Sequence, residues 1–412
     1  MKWLNLILPV SLLFFSDTIH AQVYGCTDPL AVNYNPAATS NDGSCTYSSA
    51  SVAPSASFVL GESLSETSGL IKWHDLVWTH NDNDDINIYS LDTLNGNLTQ
   101  TYPLTGATNV DWEEISQDED YVYIGDFGNN SNGNRTNLKI FRIDKNSILN
   151  NSPVIETISF SYSDQTNFTP AGANNTDFDC EALIVSADSI YLFTKQWISN
   201  KTCVYSLPKT PGTHIAQLKS TFDVQGLITG ATYLESKKLV TLCGYTNLLQ
   251  PFIYLLYDFH KHDFFGGNKR KVTISRPFHQ VEGIASTNGL KYYISNEYSS
   301  QPLFITTQQK LLIFNLGGFL EGYLNNVVTQ TETQKKNTDL LFPNPSNDFI
   351  HIKTDKYHLP VNYQIINRLG QIVQKGKLTQ ENQGIDISGL AVGMHILNIG
   401  NDIMESYKLM KK

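Results

Sequence analysis

Glu113, Glu181 and Glu282 each open a phrase of one kind: a polar or acidic residue, a usually small one, then an apolar one. The phrases are Glu113-Glu114-Ile115, Glu181-Ala182-Leu183 and Glu282-Gly283-Ile284, and Ser68-Gly69-Leu70 and Thr229-Gly230-Ala231 complete the set. Glu66, Asp111, Asp179 and Gln280 stand two residues earlier, which on a strand is the same face. Carboxylates gathered at one mouth repel unless a cation neutralises them or some keep their protons. An all-oxygen set of this kind suits calcium, with Glu113, Glu181 and Glu282 as its expected ligands. The alternative is structural, each carboxylate accepting backbone N–H groups from the neighbouring repeat. A second group follows the next strands: His80, Asn81, Asp82, Asp126, Lys195, Asn296 and Glu297. Its mixture could run general acid–base chemistry, with His80 near its working pKa and a metal-bound water as nucleophile, as in a lactonase or esterase. Polar residues at strand ends also serve turns. The chain has no Gly-x-Ser-x-Gly elbow, His-Glu-x-x-His, phosphate loop or paired-cysteine zinc spacing.

The elements that must hold these residues are short β-rich runs between Asn, Asp and Gly turns, without sustained helical periodicity. Each phrase meets a second strand about a dozen residues on, such as Leu76–Thr79, Tyr121–Ile124 or Ile190–Phe193, and then a third, such as Ile88–Leu91, Ile140–Ile143 or Val204–Leu207. In the last repeat the third strand is expected at Leu303–Ile305. Three or four strands over about fifty residues, repeated, make a β-propeller. The phrases begin at 68, 113, 181, 229 and 282, with no gap wide enough for a hidden unit, so five blades are expected and six remain open if the ends add a degenerate one. Val154–Phe160 and Leu311–Leu316 are the expected outer strands, with Ser57–Leu60 pairing across the closure.

The expected fold class is all-β, a propeller followed by a small immunoglobulin-like sandwich. Residues 1–21 are expected to be a signal peptide, Lys2 preceding an apolar run and Ile19-His20-Ala21 offering a cleavage site. A cysteine-stapled motif follows at 22–47, a linker at 48–56, the propeller at 57–322, a second linker at 323–340 and a terminal domain at 341–412. A net charge of −10 disfavours nucleic acid and anionic lipid, and no later stretch approaches the ~20 apolar residues of a transmembrane helix. Cys26 and Cys45 bracket a segment too small for a core of its own and are the expected disulfide. The Asx-rich residues between them, Asp28, Asn33, Asn35, Asn41 and Asp42, could be a calcium loop or a run of Asx turns. Cys180, Cys203 and Cys243 lie in apolar strand contexts, where a buried free thiol is expected.

After residue 340 the pattern changes. Phe342-Pro343-Asn344-Pro345-Ser346 makes a rigid turn, Phe349 and His351 alternate with Ile350 and Ile352, and the runs Tyr363–Ile366, Gln371–Val373, Ile385–Leu397 and Tyr407–Leu409 supply further strands and turns. The order Pro-Asn-Pro, Gly370, Ile-Asp-Ile-Ser-Gly-Leu-Ala-Val-Gly and a basic end resembles the type IX secretion sorting domain of Bacteroidota over its whole length. His395 departs from that pattern, the position usually being tyrosine. The resemblance implies export by the type IX machinery and a place outside the cell or on its outer surface. The phrases Trp78-Thr79-His80-Asn81-Asp82, Asp111-Trp112-Glu113-Glu114-Ile115 and Asp179-Cys180-Glu181-Ala182-Leu183 resemble a family of secreted bacterial propellers that brings no reaction with it. The expectation is thus a secreted or surface propeller binding an extracellular glycan or protein, with the metal-assisted hydrolase as its rival.

Overall fold

The computed structural model describes residues 22–301, 305–334, 341–352, 359–368, 371–380, 383–400 and 405–412. The expected signal peptide lies outside them, as do Leu303, Phe304, Leu369 and Gly370. The chain divides into one unit ending at Asn325 and another beginning at Asn326.

The first unit is a five-bladed propeller. Blade 1 is Thr67–Trp73, Leu76–Asn81, Asn87–Asp92 and Leu98–Pro103; blade 2 is Trp112–Gln117, Tyr121–Asp126, Lys139–Asp144 and Ile155–Tyr162. Blade 3 runs Asp179–Val185, Ser189–Lys195, Thr202–Pro208 and Gly212–Phe222, and blade 4 runs Leu227–Leu234, Leu239–Tyr245, Pro251–Tyr257 and Asn268–Ile274. Blade 5 takes Val281–Ala285, Lys291–Asn296 and Lys310–Asn315, and its outer strand is Ala56–Val59 from the start of the chain. That pairing closes the ring between its first and last strands, so neither end of the circle is left as an open edge. The first strands of blades 1 to 5 neighbour one another in order and blade 5 returns to blade 1. Apolar residues on both faces of each sheet, among them Trp78, Trp112, Tyr123, Phe193 and Phe252, fill the space between blades.

Three boundaries differ from the sequence reading. The third strand of blade 5 is Lys310–Asn315; the run around Ile305 is instead part of a hairpin, Ser299–Gln301 with Ile305–Thr307, inserted ahead of it. Both runs are β-rich, and only the register against Lys291–Asn296 separates them. The expected linker at 48–56 is structured, because Ser51 and Val52 add a parallel strand to blade 4. The stretch expected to be a linker from 323 belongs to a helix, Gly317–Gln334, whose Leu320 and Leu324 are buried one turn apart against blades 4 and 5.

The N-terminal motif is stapled by Cys26–Cys45 and docks on blade 4. Asp28 accepts hydrogen bonds from the Tyr47 hydroxyl at 2.8 Å, the Tyr257 hydroxyl at 2.5 Å and the Leu30 amide at 2.9 Å. Asn33, Asn35, Asn41 and Asp42 accept from Thr46, Ala37, Gly43 and Ser44 amides. These oxygens shape turns, as Asx side chains commonly do, and the loop's carboxylate most buried in the interface, Asp28, has both oxygens engaged. Cys180, Cys203 and Cys243 are buried and free.

The second unit packs a three-stranded sheet (Leu341–Phe342, Phe349–Ile352, Gly384–Asp386) with a four-stranded one (Ile372–Leu378, Val361–Ile366, Gly393–Ile399, Glu405–Lys411). Ile350, Ile352, Ile365, Ile385, Leu397 and Leu409 form its core, while Phe349 faces solvent as the alternation requires. Asn344 of the Pro-Asn-Pro turn binds the last strand twice, donating to the Lys408 carbonyl at 2.7 Å and accepting from the Met410 amide at 2.8 Å.

Candidate functional site at the acidic mouth

Every first strand carries a β-bulge at its phrase. The register slips at Ser68–Ile71, at Glu113, at Glu181, at Thr229 and at Val281–Ile284. A bulge re-aims the extra residue out of the ladder, which is how five strands of different length turn equivalent side chains toward the axis. Ser68 and Thr229 use the position to bind blades, donating to the Glu113 carbonyl at 2.6 Å and the Val281 carbonyl at 2.5 Å. Glu113, Glu181 and Glu282 are buried at the same level.

The two groups of candidates seen in the sequence form one site. Asp82, Lys195 and Glu297, from the ends of second strands, join Glu66, Asp111, Asp179 and the three glutamates. Lys195 is buried, pairs with Glu181 at 3.1 Å and lies over the rings of Trp197 and Tyr245. Asp179 accepts from the Asn129 amide at 2.6 Å and the Trp197 indole at 2.7 Å. Glu297 accepts from the Gln280 side chain at 2.5 Å. The carboxylates whose oxygens converge are Glu66, Asp82 and Glu297, all within 4.8 Å of one another and half-buried, the one such group among the described residues. The expected trio of Glu113, Glu181 and Glu282 shares the mouth but is not that group: Glu181 is drawn onto Lys195, and each of the three is anchored to a different blade.

Burial dominates the proton affinities. Desolvation first, then neighbouring carboxylates, pushes Asp111 up to about 6, Asp82 to about 7 and Glu297 to about 8. Glu113, Asp179 and Glu282 are raised for the same reasons, with Lys195 opposing the rise in the last two. Raised affinities of this kind favour the protonated forms in the mouth, and a cation on the same oxygens would compete with those protons.

Two predicted members stand apart. His80 is fully buried, edge-on to Trp112, with Nδ1 against the Asn81 carbonyl, and burial lowers it to about 4. It is a neutral packing residue between blades 1 and 2, so the expected imidazole base is withdrawn from the mouth. Asp126 is taken up by Arg135 at 2.7 Å and Lys139 at 3.2 Å.

The residue that sequence reasoning passed over is Glu114. At the middle position of the five phrases stand Gly69, Glu114, Ala182, Gly230 and Gly283; Glu114 lies against Gly69, while Gly230 and Gly283 lie against the backbone of Glu282 and Gly69. The Glu114 carboxylate is completely buried and crosses the axis from blade 2 to accept the Ala231 amide of blade 4 at 2.7 Å; it also takes its own neighbour Ile115 at 3.1 Å and Leu70 of blade 1. A Cβ on Gly69 would sit 2.7 Å from its Oε1 and 2.5 Å from the Ile115 nitrogen. The channel is plugged on its axis. Its odd size among the four small residues was the available signal.

Residues 340–412 match the family described as secretion system C-terminal sorting domain. The C-terminal unit is a type IX sorting domain. The protein that carries it is exported, to the cell surface or the medium. No curated protein matches the chain. Solved structures similar to it include Myxococcus xanthus glutaminyl cyclase (9% identity, 64% of this chain and 98% of that one, TM-score 0.39) and PorZ, a bacterial surface component of the type IX secretion system of Porphyromonas gingivalis (10%, 84% and 45%, TM-score 0.30). A chain in a structure of the mitotic checkpoint complex is similar at 10% identity, over 66% of this chain and 98% of that one, with a TM-score of 0.33. At these scores none of them informs the reading of the mouth.

Proposed function

We propose that the protein is an exported propeller that binds an extracellular glycan or protein at its acidic mouth, with calcium held by Glu66, Asp82 and Glu297. The observation that carries this is the convergence of those three carboxylates beside Lys195, in a mouth where further acidic side chains are buried and raised in proton affinity. All-oxygen donors at a half-buried position fit a hard cation that keeps an open side for a ligand oxygen. His80, the base on which the hydrolase reading depended, is buried away from this set, which favours binding over that reading.

Proton linkage supplies the test. Asp82, Asp111 and Glu297 bind protons more tightly folded than unfolded, so folding takes up protons between about pH 4 and pH 8 and stability falls as the pH rises through that window. Calcium should reverse the trend. At pH 8, a hundredfold excess over its dissociation constant should stabilise the protein by about 2.7 kcal/mol; at pH 5, where protons compete for the same oxygens, the gain should largely vanish. Asp82→Asn should lose the gain at pH 8. Thermal unfolding at both pH values decides it, and a wild-type protein indifferent to calcium at pH 8 refutes the cation site.

A further inference from the structure

At the other end of the first strands, beyond Glu114, lies a cavity of about 400 Å³ to which all five blades contribute. That volume lies in the range of small-molecule sites. Its inner wall is Leu70, Ile115 and Ala231, whose amides bind the Glu114 carboxylate, so the cavity is separated from the acidic mouth by the plug.

The charges on the wall are committed. Lys72 donates to the His74 carbonyl at 2.5 Å and faces Asp75 at 3.9 Å; Lys145 donates to the Asp118 carbonyl at 2.6 Å and lies over Trp73. The Asp118 carboxylate meets Lys209 at 2.6 Å and the Tyr123 hydroxyl at 2.8 Å. What remains uncommitted is neutral. The hydroxyls of Ser116, Thr232 and Thr287 make no side-chain hydrogen bond to the described residues, and the Gln117 amide uses its NH₂ on the Lys72 carbonyl and leaves its oxygen over. Ile71, Val185, Leu234 and Tyr233 also border the cavity, with Ile71 and Val185 buried in the core and the Tyr233 ring packed on Phe259 and Phe264.

We infer that this cavity is a binding site for a neutral saccharide. Hydroxyls and an amide oxygen complement a sugar, which presents hydroxyls at its edge, and the cations on the wall, Lys72 and Lys145, are already held on backbone carbonyls. The site is independent of the cation proposed for the mouth. Saturation-transfer NMR on the full exported chain, with the methyl glycosides of glucose, galactose, mannose and N-acetylglucosamine at millimolar concentration, tests it. At least one should bind, and Ser116→Ala with Thr232→Val should weaken it about tenfold while thermal unfolding stays unchanged. Chelating calcium or introducing Asp82→Asn should leave binding intact. Transfer from none of the four sugars overturns the inference, and so does binding that survives the double variant or disappears with Asp82→Asn.

Discussion

Glu114→Ala should be the most destabilising single substitution in the propeller, at roughly 5 kcal/mol. The change removes one carboxylate and strands three buried amides, those of Leu70, Ile115 and Ala231, which come from blades 1, 2 and 4. A buried donor left without a partner costs about 1–3 kcal/mol, and the hole on the axis adds the lost packing of the side chain. Against a total margin of about 5–15 kcal/mol, that is a large fraction. Glu114→Gln should fall between, since it keeps an acceptor oxygen but turns an NH₂ group toward an amide donor. Urea unfolding of the three proteins measures the series. A loss under about 1 kcal/mol for the alanine variant would mean that the plug does not tie the blades together.

Removing residues 341–412 should abolish export almost completely while leaving the propeller folded. The propeller closes its own ring through Ala56–Val59 and Lys310–Asn315 and has its own core, so among the described residues its sheets are built from the first unit alone. The sorting unit likewise has a separate core, built on Ile350, Ile365, Leu397 and their neighbours. Fractionation of cells expressing full-length and truncated protein, with far-ultraviolet circular dichroism of the purified truncation, reads both halves of the expectation. The truncated chain should collect in the periplasm; its appearance outside the cell at the full-length level would show that the terminal unit is dispensable for sorting.

Much of this was legible because repetition is a strong signal. Five phrases with a polar lead residue gave the blade count, and the bulge found at each of them explains why the lead residues are equivalent although the intervals between them differ. The sorting unit was legible from Pro-Asn-Pro and the glycine-punctuated strands. What pattern could not give was depth. His80 and Asp82 are two residues apart, yet His80, inside the strand Leu76–Asn81, is sealed against Trp112, while Asp82, just past its end, joins the mouth. Glu66 and Glu297 are far apart in sequence and meet only because blade 5 closes on blade 1. The helix Gly317–Gln334 escaped because its apolar stripe, Leu320 and Leu324 with Phe319 and Tyr323, is short and ends in a polar run of threonines and glutamines.

We propose that a cation sits among Glu66, Asp82 and Glu297. The most direct test is diffraction from crystals of the protein grown at pH 8 and soaked with a lanthanide, which replaces calcium on carboxylate oxygens and scatters anomalously. An anomalous peak is expected within bonding distance of all three carboxylates in the wild type, and its loss in Asp82→Asn. Peaks confined to the N-terminal Asx loop or the outer surface, with none between these three residues, would contradict it.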